Sequence, residues 1–179
     1  MAPSTYSISF RTTKGSFTAR VTRDWSPNGA DRLYELVQSG YYDDVAFFRV
    51  IDGFVAQFGI SGDPAESKAW RERAIADDPV VASNTKGTIS FAMAGPGTRT
   101  TQLFVNLADN TRLDSMGFCP VARVTDGMDV VESLHGGYGE GAPRGNGPDQ
   151  GAVQQRGNAY LRESFPDLDY IETATITEE

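Results

Sequence analysis

The chain is poor in the residues that most catalytic chemistry needs. It carries one cysteine, Cys119, and one histidine, His135, in 179 residues. An intrachain disulfide is therefore impossible, and zinc, which takes four Cys, His or carboxylate ligands, lacks its usual donors. A Cys119–His135 dyad would need two distant residues to meet with no evident third group to orient them. No run of about twenty apolar residues exists, so a transmembrane helix is not expected. The first residues, Met1 to Tyr6, have neither the basic start nor the apolar stretch of a signal peptide. No Asn-x-Ser/Thr acceptor occurs, and the single thiol fits a reducing compartment, so the expected location is the cytoplasm. The formal charge is −8, with no long basic block, which argues against nucleic acid or an anionic membrane as partner.

The length and ordinary composition suit one domain over residues 1–179 with a substantial core. Tyr6–Phe10 and Phe17–Val21 alternate apolar and polar residues around Gly15, the pattern of a β-hairpin. A helix follows, with Ser26 as N-cap, Pro27 in its first turn, apolar residues at Ala30, Leu33, Tyr34 and Val37, and Gly40 as its stop. Strands are expected at Val45–Val50, Phe54–Ile60, Gly87–Met93 and Gln102–Leu107. A second helix is expected from an Asp126 N-cap to Gly136-Gly137, with His135 in its last turn, where a cation suits the dipole. Residues 136–149, rich in Gly and Pro, read as a long loop. A further helix over about 151–164 and a closing strand at Tyr170–Thr177 complete the chain. Many short strands with few helices point to a β-barrel or sandwich closed by helices.

Two motifs are set aside. Gly137-Tyr138-Gly139-Glu140-Gly141-Ala142 matches G-x-G-x-x-A, but it follows a helix and enters a Pro-rich loop, where no pyrophosphate site forms. Asp43-Asp44 and Asp77-Asp78 lack EF-hand spacing and read as solvated turns.

The informative stretch is Phe47-Phe48-Arg49-Val50-Ile51-Asp52-Gly53-Phe54-Val55-Ala56-Gln57. A guanidinium amid so much apolar surface must find acceptors, because an unpaired buried charge is costly. It either meets a structural partner or faces a substrate oxygen at the mouth of an apolar pocket. Lys86–Thr98, with its Ala92-Met93-Ala94-Gly95-Pro96 core, Thr101-Gln102-Leu103-Phe104-Val105 and Leu113-Asp114 extend the pattern. Together, over about residues 6–134, these blocks resemble the cyclophilin family of peptidyl-prolyl isomerases.

The resemblance implies a closed eight-stranded antiparallel β-barrel capped by two helices, with the substrate groove on its outer surface. Residues 136–169 look like a divergent addition, a Gly-rich loop and an extra helix before the closing strand. The resemblance also implies roles. Arg49 matches the catalytic arginine; Phe54, Val55, Phe104 and Leu113 match the proline pocket. Gln57 matches the glutamine beside the arginine, and Ala92, Met93, Ala94 and Gln102 match the peptide-binding stretch. No cofactor or metal is implied, and the expected partners are Xaa-Pro peptides or unfolded proteins, bound by a monomer. The chain departs from the family where familiar members carry Trp just before the pocket leucine and His four residues after it; here stand Arg112 and Gly117. Phe48 replaces the His found in many members before the arginine. The missing Trp predicts weak cyclosporin binding, and the Phe118 ring is a candidate to fill vacated space. Three activities follow as alternatives: a prolyl isomerase, a module that binds Pro-containing segments with little turnover, and a barrel enclosing a small ligand.

Overall fold

The computed structural model describes residues 1–177. Nine strands form a single sheet: β1 (Thr5–Thr12), β2 (Gly15–Thr22), β3 (Val45–Ala46), β4 (Arg49–Ile51), β5 (Val55–Phe58), β6 (Thr88–Phe91), β7 (Leu103–Asn106), β8 (Pro120–Asp126) and β9 (Tyr170–Thr177). Their order is β3-β9-β1-β2-β8-β6-β7-β5-β4, and every pairing is antiparallel. The expected closed eight-stranded barrel is corrected: the sheet is curled and open, with β3 and β4 at its two edges. The reason lies at Phe47-Phe48, where the strand expected over Val45–Val50 breaks. Both rings are buried, Phe47 in the main core and Phe48 beside Ile60, Val153 and Leu161. The Phe47 amide bonds to the Asp169 carbonyl at 2.9 Å. Two bulky residues turned into the interior cannot carry a ladder onward, so the chain passes from one edge strand to the other without a rung between them.

Among the described residues four helices pack on the sheet and on one another, one more than the three expected: α1 (Pro27–Gln38), α2 (Pro64–Arg71), which was not expected, α3 (Met128–Glu132) and α4 (Gln150–Ser164). α1 buries Ala30, Leu33, Leu36 and Val37. Its N-terminus is held differently from expectation. The Ser26 hydroxyl makes no cap bond and donates instead to Asp78 Oδ2 at 2.6 Å. Asp78, expected in a solvated turn, accepts from the amides of Asn28 (3.2 Å) and Gly29 (3.0 Å), so a residue far along the chain caps the helix. α3 is shorter than expected. Asp126 is the last residue of β8, and Gly127, at φ +81°, begins the helix. His135 lies beyond the helix end, its amide donating to Asp169 Oδ2 at 2.7 Å and its ring edge-on to Tyr138.

The inner face of the curl is filled by side chains. Ile8, Phe10, Phe17, Phe58, Phe91 and Leu103 are all essentially inaccessible, and Phe10 stacks on Phe17 at 4.7 Å between centroids. Packing of this density leaves the enclosed-ligand reading without support.

Candidate active site

The site grows from strand register. Arg49 on β4 stands opposite Gln57 on β5, and Gln57 stands opposite Phe104 on β7. Side chains alternate across a pleated sheet, so this row faces outward while the next row, Val50, Ala56 and Val105, faces the core. The tight Asp52-Gly53 turn between β4 and β5, closed by the Phe54 amide on the Ile51 carbonyl at 3.0 Å, brings Phe54 to the same outer face. Val55, Phe104 and Leu113 form a separate apolar cluster there, with Phe54, Ala92 and Phe118 packed on it.

A cleft of about 550 Å³ opens over this cluster. Arg49, Phe54, Val55, Gln57, Ala92, Met93, Phe104 and Leu113 line it, which brings eight of the ten expected site residues together. Gln102 and Ala94 do not line it. Gln102 Oε1 accepts from Gln57 Nε2 at 2.9 Å, so it acts on the cleft only through Gln57. Ala94 belongs to a turn in which its amide donates to Thr98 Oγ1 at 2.8 Å.

Gln57 Oε1 accepts from Arg49 Nη1 at 3.0 Å, and the chain of amides Gln102–Gln57–Arg49 orients one end of the guanidinium. The other edge meets Glu140, from the loop after α3. Arg49 Nε donates to Glu140 Oε1 at 2.7 Å and Nη2 to Oε2 at 2.8 Å, a bidentate pair. The hydrogen bonds from Arg49 hold the Glu140 carboxyl below the usual glutamate range, against the opposing pull of partial burial. The pair is only half buried: the arginine side chain is 25 % exposed and the glutamate 37 %.

Glu140 escaped the sequence reading, which assigned its segment to a loop without function. The glycines of that loop supplied the only signal. The Gly147 amide donates to the Glu140 carbonyl at 2.9 Å, and a Cβ on Gly145 would lie 2.3 Å from that same oxygen. Only a chain without side chains at such points folds this tightly around Glu140. The same loop, through Ala142, Pro143, Arg144 and Pro148, forms one wall of the cleft.

Behind the pocket runs a buried polar network that sequence reading also missed. Asp114 accepts from Ser83 Oγ at 2.5 Å and from the Asn84 amide and Nδ2, each at 2.8 Å. Burial alone would raise the Asp114 pKa, but these donors bring it below the ordinary value. Asn84 reaches the Phe118 carbonyl at 2.9 Å, and Asn110 reaches the Phe54 carbonyl at 2.9 Å. The network thus pins the backbone beneath two rings of the cleft. Phe118 lines the cleft and meets Phe104 edge-on at 5.6 Å.

The two departures have a geometry of their own. Gly117 sits at φ +90°, where a histidine would be strained, and a Cβ there would lie 3.2 Å from the Met93 methyl. Arg112 places its Cζ 5.1 Å from the centre of the Phe54 ring, and Arg49 places its own at 5.7 Å. Cys119 is buried, with Sγ near the carbonyls of Trp25 and Pro79, and burial pushes its thiol pKa up, the opposite of an activated nucleophile. Among the described residues no group of three or more His, Cys, Asp or Glu is placed to hold a metal ion, and no helix is long and apolar enough to cross a membrane.

Comparison with known proteins agrees with this architecture. The sequence model of the cyclophilin type peptidyl-prolyl cis-trans isomerase/CLD family matches residues 7–150. Peptidyl-prolyl cis-trans isomerase B of Escherichia coli is 31 % identical over 137 residues, spanning 72 % of this chain and 84 % of the relative. A peptidyl-prolyl cis-trans isomerase-like 1 of Rhizopus delemar is 35 % identical over 130 residues, spanning 69 % and 76 %. In structure, a cyclophilin type isomerase of Cryptosporidium parvum aligns over 98 % of this chain and 99 % of its own, with a TM-score of 0.70 and 19 % identity, a likeness of fold. A match over most of the chain, joined to that level of identity, places the protein in the cyclophilin-type peptidyl-prolyl cis-trans isomerase family.

Proposed function

We propose that Arg49 is the catalytic residue of the peptidyl-prolyl isomerisation that this chain shares with its family. In this reading Phe54, Val55, Phe104 and Leu113 hold the proline ring, Ala92 and Met93 flank the peptide, and Gln57, backed by Gln102, orients the guanidinium. The observation that carries it is a guanidinium standing at the mouth of an apolar cleft with a glutamine fixing one end. Ala94 is the weakest member of the set, since it lies outside the cleft.

The chemistry needs no covalent step. Rotation about an Xaa-Pro bond meets a barrier of about 20 kcal/mol because amide resonance is lost at the twisted state. A catalyst has only to bind the twisted imide better than either planar form. The apolar cluster fixes the ring, and the guanidinium donates to the carbonyl oxygen and to the nitrogen as it pyramidalises. Gln57 and Glu140 use three of the five N–H groups, which leaves one on each terminal nitrogen for the substrate. Those donors and a permanent charge suit arginine to this work better than lysine.

The test compares cis/trans exchange of an Xaa-Pro peptide with wild type and Arg49→Ala. If Arg49 supplies about 3–4 kcal/mol of differential stabilisation, kcat/KM falls by about 10²–10³. Equal rates would end this reading. One observation favours a second: Glu140 already covers an edge of the guanidinium. A module that binds Pro-containing segments with little turnover would show saturable peptide binding without faster exchange. The proposed clients are exposed Xaa-Pro segments of unfolded or flexible proteins, in a reducing compartment such as the cytoplasm. Arg112 in place of an indole supports weak cyclosporin binding.

A further inference from the structure

Two exposed cations stand beside the cleft outside any ion pair among the described residues, although Arg144 is near enough to Glu140 to help hold its carboxyl below the usual range. Arg112, exposed in the short helical turn Thr111–Leu113, lies over the Phe54 ring. Arg144, also exposed, lines the opposite wall from the glycine-rich loop. Neither belongs to an ion pair among the described residues, whereas the cations Arg23, Arg73, Lys86, Arg99 and Arg162 elsewhere on the molecule do. Arg49 adds a third positive charge, and among the described residues Glu140 is the one carboxylate that lines the cleft. This positive rim belongs to a chain whose net charge is −8, so it does not follow from overall composition.

A cation held over an aromatic face keeps its donors toward solvent while the ring fixes its position. A carboxylate arriving there replaces water at an unpaired guanidinium and displaces no internal partner. Peptide residues advance at most about 3.5 Å each, so a side chain two or three residues from a proline seated on Phe104 and Leu113 extends up to about 7–10 Å along the cleft, toward Arg112 on one side or Arg144 on the other.

We propose that the cleft selects acidic segments, with an aspartate or glutamate within about two or three residues of the proline, read by Arg112 and Arg144. Both are specificity-determining residues, distinct from the group that meets the rotating bond. The proposal rests on the cleft being the Xaa-Pro site.

The experiment uses the full chain and three matched Xaa-Pro peptides that differ only in Glu, Gln or Lys near the proline, on either side of it. Exchange rates give kcat/KM for each at low salt and at about 0.3 M, where screening shortens the reach of exposed charges. The Glu peptide is expected to exceed the Lys peptide by about tenfold at low salt and by about threefold at high salt, a range set by exposed pairs. In the double variant Arg112→Gln, Arg144→Gln the ratio should approach one. Turnover of all three peptides at equal rates, or a preference for Lys, overturns this proposal and leaves the isomerase reading intact. A ratio that survives the double substitution overturns the assignment to these two arginines. No turnover of any peptide by folded protein instead removes the reading on which the proposal rests.

Discussion

Two arginine–carboxylate pairs in this molecule share their chemistry and differ in their burial. Arg99–Asp78 is enclosed, with side chains 3 % and 4 % exposed; Arg49–Glu140 stands at the cleft, at 25 % and 37 %. Around the first pair both terminal nitrogens of the guanidinium are used internally, and only the buried Arg99 Nε lacks a partner. Arg99 also reaches the Ala76 carbonyl at 2.6 Å and Ser26 Oγ at 3.2 Å, while Asp78 holds the start of α1. Around the second, an apolar cleft replaces protein on one side. A charge taken out of water cannot lose its partner cheaply, whereas a half-exposed one can exchange its partner for solvent or substrate. The sequence posed the question of whether Arg49 was a structural or a functional charge. Comparison with Arg99 shows what a structural one looks like in the same fold.

The largest effect is expected where burial is complete. Asp78→Ala strands the Arg99 charge and strips two amides of α1 of their acceptor. We expect a loss of about 3–5 kcal/mol in urea unfolding, or roughly ten degrees in Tm, with kcat/KM of the folded fraction little changed. Burial pushes the Asp78 pKa up, but bonds from Ser26, Arg99, Gly29 and Asn28 outweigh it and leave the folded value depressed. Its contribution is therefore complete above the ordinary aspartate value of about 3.9 and fades as pH falls through the lower folded value. Stability curves of wild type and variant should converge in that acid range. If the variant lost rate and kept its stability, the contrast between the two pairs would fail.

That contrast also marks what could be read without coordinates. The row Arg49, Gln57, Phe104 was legible only through the family resemblance, since alternation alone would have left Phe104 in the core. The closing strand Tyr170–Thr177 was legible from its own alternation. α2 was missed although Asp63, whose side chain accepts from the Ala65 amide, and Pro64 at the first position are ordinary start signals. β8 was missed because Pro120 and a polar second half disguise it, and its end, Asp126, was then read as a helix cap. Glu140 and Asp78 were illegible for another reason. Glu140 is 91 residues from Arg49, and Asp78 is 52 from Ser26. No local pattern announces which carboxylate a distant arginine will meet. Closure of the sheet was misjudged because two phenylalanines chose the core over the ladder.

The next effect tests whether the wall around Arg49 reports as rate. Phe118 meets Phe104 edge-on and belongs to the cleft rather than the main core. An aromatic pair of this kind contributes about 0.5–1.5 kcal/mol beyond its buried area. Phe118→Ala should lower kcat/KM by roughly threefold to tenfold, chiefly through KM, because the ring supports substrate before and during rotation alike. Met93, whose methyl lies beside Gly117, is placed to relax into part of the space. A fall in kcat alone would show that Phe118 acts on the twisted state instead.

The smallest effect is the most discriminating, because it falls on the half-exposed pair itself. Glu140 occupies Nε and one N–H of Nη2, so a substrate oxygen must use the remaining end of the fork or open the pair. Opening an ion pair this exposed costs at most about 1 kcal/mol. Glu140→Ala removes that cost, and kcat/KM on a neutral Xaa-Pro peptide is expected to rise about twofold to fivefold, with Tm moving by less than about two degrees. Because Arg49 holds the Glu140 pKa below the ordinary glutamate value of about 4.3, the carboxylate covers the fork throughout the neutral range. Acidification frees the fork only below that ordinary value, and there wild type should gain on the variant. A fall in rate on removing Glu140 would reverse its meaning: the carboxylate would then be what holds the guanidinium in its working pose. In that case the pair at the cleft and the pair in the core would serve one purpose, the fixing of an arginine, and burial would set only how firmly.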